Sequence, residues 1–152
     1  MSILSQTVES ELPLLRALSE AQTSTHPEPG KWSKKEELGH LIDSAANNHL
    51  RFVRAALDGE YEGPGYDPDG WVALHGYQEM PVETIIGLWH HYNRLLDRLV
   101  DRIEPSRLEA PCVVREGDAV TLGFLIDDYV LHMRHHLDHV LDRETITPYP
   151  RA

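Results

Sequence analysis

The stretch "KWSKKEELGHLIDSAANNHLRF", residues 31–52, reads as the opening and body of one long helix. Ser33 and Glu36 make an S-x-x-E capping box: the serine side chain accepts from the backbone three residues on, and the glutamate reaches back. Leu38, Leu41, Ile42, Ala45, Phe52, Val53 and Ala56 then recur at three- and four-residue steps, so a helix is expected from Ser33 to about Leu57. His49 falls on this apolar face and is expected to pack in the core with a polar partner. A second stripe, His40, Ser44, Asn47 and Arg51, lies nearly opposite. It reads either as solvated surface or as the wall of a polar cavity in which His40 binds a metal while Asn47 and Arg51 orient a substrate.

Outward from this helix, three more are expected. Leu4, Val8, Leu12, Leu15 and Leu18 mark one over roughly residues 3–22, with Pro13 implying a kink or a later start. "DGEYEGPGYDPDG", 58–70, opens a long loop that runs to residue 80, and loops of that length are often functional. Pro81 suits the first position of a helix reaching about Ile103. "APCVVREGDAVTL", 110–122, offers two short runs around a Gly-Asp turn and predicts a β-hairpin. Thr121 caps a last helix ending near Asp142. The expected fold is all-α: a single domain over 1–152, a four-helix bundle with a small β-hairpin before the last helix.

The charge balance excludes some partners. With 25 acidic against 14 basic residues the net charge is −11, and no basic stripe offsets it, so neither nucleic acid nor an anionic membrane is an expected partner. Nowhere do 18 apolar residues run together. "MSILSQTVESELPLL" lacks a basic region followed by an apolar run, and Cys112 is the only cysteine, so no signal peptide, no internal disulfide and a cytoplasmic setting are expected. Cys112 reads as a small buried hydrophobe.

Four of the ten histidines crowd "LHMRHHLDHV", residues 131–140. Residues four apart share a helix face, which gives two pairs that could each reach one ion, His132/His136 and His135/His139. At about 100° per residue the apolar side is Leu122, Leu125, Ile126, Tyr129, Met133, Leu137 and Val140. His136 falls inside that arc and His132 beside it, so this is the better interior pair. His135 is expected to be solvated, and His139 to be either a surface group or one that supports the site. Asp128, one turn before His132, is expected to be a solvated carboxylate or a hydrogen-bond partner of that ring. His26, His75, His90 and His91 carry no signal. Trp71 and Tyr66 read as lining a substrate mouth or covering one end of the core.

The first stretch, together with "LHMRHHLDHV" about ninety residues later, resembles the DinB/YfiT-like superfamily. The matching pattern is Trp32 and Ser33, then His40–Asp43 as "HLxD", then Asn47, Arg51 and Phe52. A loop "YDxxxW" (Tyr66, Asp67, Trp71), the hairpin and the histidine-rich last helix follow in order. The resemblance spans about Pro27 to Val140. It implies a four-helix bundle, often a homodimer, with a three-histidine divalent metal site whose ligands fall on His40, His132 and His136. The N-terminal region is shorter than the pattern, and His135 and His139 have no assigned ligand role.

Three neutral imidazoles leave an ion its full charge and an open position, where bound water would have its pKa lowered to about 7 and a thiol would become a thiolate. Imidazole also suits several ions; zinc or nickel is expected. The resemblance implies metal-dependent hydrolases and transferases or isomerases that use low-molecular-weight thiols such as bacillithiol or mycothiol. The expected function is therefore a divalent-metal-dependent enzyme that activates a small thiol or water against a small-molecule electrophile, with Asn47, Arg51 and His139 as supporting catalytic residues. The alternatives are a metal-binding or stress-response module without turnover, which predicts a closed coordination sphere, and a dimeric scaffold.

Overall fold

A computed structural model describes residues 1–150 of the chain. Helix α1 (Ile3–Arg16) starts at Ser2, whose Oγ accepts from the Ser5 amide at 2.9 Å, and it accommodates Pro13 without ending there. The break comes later. Ser19 and Gln22 form a second capping box that starts a separate short helix, α2 (Glu20–Ser24), so the expected single helix over 3–22 is two. "SEAQ" carried that signal in the sequence, but the apolar periodicity running through Leu18 masked it.

Helix α3 (Lys34–Asp58) begins at the expected capping box and ends at Gly59, which sits at φ +81°, a left-handed conformation that glycine adopts without strain. The 58–80 segment is not one open loop. Strand β1 (Tyr61–Gly63) pairs with the later hairpin, and helix α4 (Pro68–His75) follows, closed by Gly76 at φ +64° and a 3₁₀ turn over Tyr77–Glu79. Helix α5 (Val82–Asp101) is preceded by Pro81 and followed by a 3₁₀ turn at Pro105–Glu109.

The hairpin forms as strands β2 (Pro111–Val114) and β3 (Val120–Thr121), antiparallel with Cys112 opposite Val120. β1 joins β2 in parallel, Tyr61 opposite Cys112, giving a three-stranded sheet in the order β1-β2-β3. Cys112 is fully buried in it. A three-residue parallel strand has no local sequence signature, because its partner lies some fifty residues away. Helix α6 (Leu122–Val140) starts at Thr121, whose Oγ1 accepts from the Phe124 amide at 3.0 Å.

The long helices α1, α3, α5 and α6 form a four-helix bundle, with α3 packed against both α5 and α6, and α1 against α5. Phe52, Trp89, Leu41, Leu122 and Leu137 are fully buried between them. Asn93 is buried too; its amide donates to the Trp89 carbonyl and its oxygen accepts from the Tyr129 hydroxyl at 2.5 Å, so the polar group is satisfied inside the core. Among the described residues no helix is long and apolar enough to cross a membrane.

Candidate metal centre

Helices α3 and α6 cross so that His40 faces His132 and His136, which stand one turn apart. The three ring centroids lie 4.9, 4.7 and 4.5 Å from one another. The Nε2 atoms of His40 and His132 are 3.0 Å apart, and one nitrogen from each of the three rings falls within 4.8 Å of the others. Metal–nitrogen bonds of about 2.0–2.1 Å at tetrahedral angles separate two nitrogens by about 3.3 Å, so this trio could hold one ion with little adjustment. His136 Nε2 is buried without a hydrogen-bond partner, as a lone pair reserved for a cation would be.

The surroundings keep two of these rings, His40 and His132, neutral. Burial, with His136 beside it, lowers the His40 pKa to about 3. Burial, with His136, His40 and His135 nearby, lowers that of His132 to about 2. Both therefore keep their lone pairs at neutral pH. Glu37, one turn before His40, fixes the third ring: its Oε2 is 2.8 Å from His136 Nδ1. With Nδ1 donating to that carboxylate, Nε2 is left as the acceptor aimed at the other two rings, the arrangement by which outer carboxylates orient metal-binding imidazoles. The same Oε2 lies 3.3 Å from Nδ1 of exposed His139, which links the trio to solvent. Glu37 was missed in the sequence, although its place three residues before His40 puts it on the same face.

The trio opens on a cavity of about 580 Å³ whose wall includes Trp32, Asn48, Arg51, Tyr66, Asp128 and Tyr149. Arg51 is buried, donating at 3.3 Å to the Pro64 carbonyl, and among the described residues no carboxylate pairs with it. Asn47 is not on this wall. Its amide donates to the Asp43 carbonyl at 2.9 Å; Asn48, one residue on, likewise donates to the Ser44 carbonyl at 2.9 Å, but it is Asn48 that lines the cavity. One residue is 100° of helix, enough to exchange one neighbouring amide for the other on the cavity wall.

The other histidines have partners of their own. His135 is not simply solvated: its Nδ1 meets the Thr147 carbonyl at 2.6 Å. Asp128 accepts from the Tyr149 hydroxyl at 2.7 Å rather than serving His132. His49 is half-buried with the expected polar partner, the Tyr92 hydroxyl, at 2.9 Å. His26 pairs with Glu36 at 2.7 Å. His75, at the end of α4, reaches Asp43 at 2.9 Å, and the Tyr77 hydroxyl donates to the same oxygen at 2.7 Å. Burial raises the Asp43 pKa, against the pull of those two partners. Trp71 packs on His75 and Tyr66, while Tyr66 itself lines the cavity. His90 and His91 lie against each other, and neither lines the metal cavity.

The sequence pattern of the DinB superfamily matches residues 4–140, nearly the whole bundle and all three histidines. The chain belongs to the DinB superfamily. Among DinB-related chains, one from Oceanobacillus iheyensis, provisionally named a metal-dependent hydrolase, is 26% identical over 123 residues, 81% of this chain and 71% of that one. A Bacillus mycoides protein of the same provisional name is 25% identical over 126 residues, 83% of this chain and 72% of its own. In structure the chain is similar to YfiT from Bacillus subtilis, described provisionally as a metal-dependent hydrolase with an unusual four-helix bundle topology. The TM-score is 0.79 at 19% identity, over 91% of this chain and 82% of YfiT. It is also similar to the mycothiol-dependent maleylpyruvate isomerase, with a TM-score of 0.69 at 14% identity, over 95% of this chain and 59% of the isomerase. At those identities the likeness is one of fold.

Proposed function

We propose that this DinB-superfamily protein is a divalent-metal-dependent enzyme that activates a small thiol or water for attack on a small electrophile. The carrying observation is the convergence of three imidazole nitrogens, two of them on rings held neutral, on the wall of an open cavity that also presents a buried arginine. His40, His132 and His136 would hold the ion, zinc or nickel by the softness of the donors. The ion's charge would lower the pKa of a water or thiol bound to it. Glu37 holds His136 in the ligating tautomer and, with His139, offers a path for a proton to solvent. Arg51, with no carboxylate partner among the described residues, suits an anionic group on the substrate, in a chain otherwise dominated by negative charge.

The relatives' provisional names favour hydrolysis, and the fold shared with a mycothiol-dependent isomerase favours thiol chemistry; the geometry suits either. A module without turnover would close the coordination sphere with a fourth protein ligand. The nearest candidates, Glu37 and His139, instead address the far nitrogen of His136, which argues for an open position.

The test is metal analysis of protein purified without an affinity tag, followed by assays of thiol conjugation and of ester and amide hydrolysis. Bound metal in stoichiometric amount, lost in His40→Ala, with turnover in one assay, is the expected result. Stoichiometric metal with no turnover in any assay would return the module reading.

A further inference from the structure

Helix α6 carries two histidine pairs at four-residue spacing, and the buried trio uses only one of them. The rings of the other pair, His135 and His139, have centroids 4.5 Å apart, the same separation as His132 and His136. His135 is half-buried and His139 exposed. Each ring meets an accepting oxygen at Nδ1. For His135 it is the Thr147 carbonyl at 2.6 Å, and for His139 the Glu37 carboxylate at 3.3 Å. With Nδ1 donating, Nε2 of each ring keeps its lone pair. Glu37 imposes the same arrangement on His136 within the trio.

The oxygen facing His135 is itself built into the fold. Beyond α6, Asp142 at φ +52° reverses the chain, and buried Asp138 then accepts from the Thr147 amide at 2.7 Å, the Thr147 hydroxyl at 2.6 Å and Arg143 at 2.8 Å. Arg143 also reaches Glu11 on α1. The Thr147 carbonyl is thereby held against the His135 ring. The outer pair also adjoins the trio: Glu37 Oε2 serves both His136 and His139, and the ring centroids of His135 and His136 are 5.4 Å apart.

We propose that His135 and His139 form a second divalent-metal site, an outer station that takes the ion from solvent and passes it to the trio. This rests on the metal reading above. Two imidazoles completed by water hold an ion more weakly than three do, so the ion moves inward. The net charge of −11 draws cations to the surface where this pair stands. Two divalent ions so close repel each other, so once the trio is filled the outer site is occupied only in excess metal.

The experiment uses chelator-treated full-length protein and zinc(II). Equilibrium dialysis against excess zinc counts the ions, and stopped-flow competition with a chromophoric zinc indicator gives the rate of uptake. The wild-type chain should take two ions and lose the second on brief buffer exchange. His135→Gln and His139→Gln should each take one and keep it through the exchange, which also shows that both variants fold with the trio intact. Their uptake should be about tenfold slower, at the low end of what local concentration of a cation gives. A single ion in the wild-type chain would overturn the outer site and leave the metal reading standing. So would a second ion that survives both substitutions, since it would lie elsewhere on the surface. Loss of the second ion without a change in rate would overturn the loading role. No uptake of zinc by the wild-type chain would overturn the metal reading and the outer site with it.

Discussion

The metal-free protein should lose stability in mild acid, and the structure gives the size of the loss. In the unfolded chain His40 and His132 protonate near 6.5, whereas in the fold burial holds them near 3 and near 2. Between pH 6.5 and about 3 the unfolded state therefore binds more protons than the folded one. Stability is then highest above 6.5 and falls as pH drops through that window. One pKa unit is worth about 1.4 kcal/mol, so moving from pH 7 to pH 5 costs about 2 kcal/mol for each ring. The assay is urea unfolding of chelator-treated protein at pH 7, 6 and 5, beside the same series for His40→Gln. Every other titrating group is common to both proteins and cancels in the difference. The variant should lose about 2 kcal/mol less than the wild-type protein across that range. Parallel pH dependences would mean that His40 is hydrated or charged in the native state, and the account of a His40 ring held neutral by burial would be wrong.

Three further outcomes follow from the same geometry. Glu37→Gln leaves the His136 tautomer unfixed, and metal affinity measured by competition with a chelator should fall about 10- to 100-fold. Gly39→Ala would bring a methyl group to 2.1 Å from the Tyr77 ring, and because that ring is buried the chemical-denaturation midpoint should report a loss of about 1–3 kcal/mol. Asn48→Ala should reduce kcat/KM for the substrate found under the proposed function, whereas Asn47→Ala should leave it near wild type; the reverse order would restore the amide that the sequence stripe nominated.

How much of this was legible in the sequence depends on the range over which each signal acts. Caps at Ser33 and Thr121 were readable because the residues that make a capping bond lie within three positions of each other. The pairing of His132 with His136 was readable because helical phase is also local. The parallel strand at Tyr61–Gly63, the turn of His75 onto Asp43 and the return of Tyr149 to Asp128 were not, because each joins positions between 21 and 51 residues apart: 61 with 112, 43 with 75, 128 with 149. His40 occupies an intermediate place. Its own helix put it on a polar stripe, and only the resemblance to a known pattern turned that stripe inward.

That inward turn has a physical cause on α3 itself. The helix carries carboxylates three residues to either side of His40, and neither is spent on solvent. Glu37 reaches across to α6 and fixes His136, while Asp43 is buried and takes Tyr77 and His75 from the α4 region. One helix face thereby orients a second ligand and pins the segment that carries Tyr66 to the cavity wall, with Trp71 packed behind it. Burying a carboxylate is unfavourable unless it is hydrogen-bonded, so replacing Asp43 by alanine would strand the Tyr77 hydroxyl and release α4. Asp43→Asn keeps an acceptor for Tyr77 and loses only the charge facing His75. If the pinning is real, proteolytic cleavage between residues 64 and 80 should accelerate strongly in Asp43→Ala and only slightly in Asp43→Asn. Equal rates in the two variants would show that α4 is held by its apolar contacts at Val72 alone.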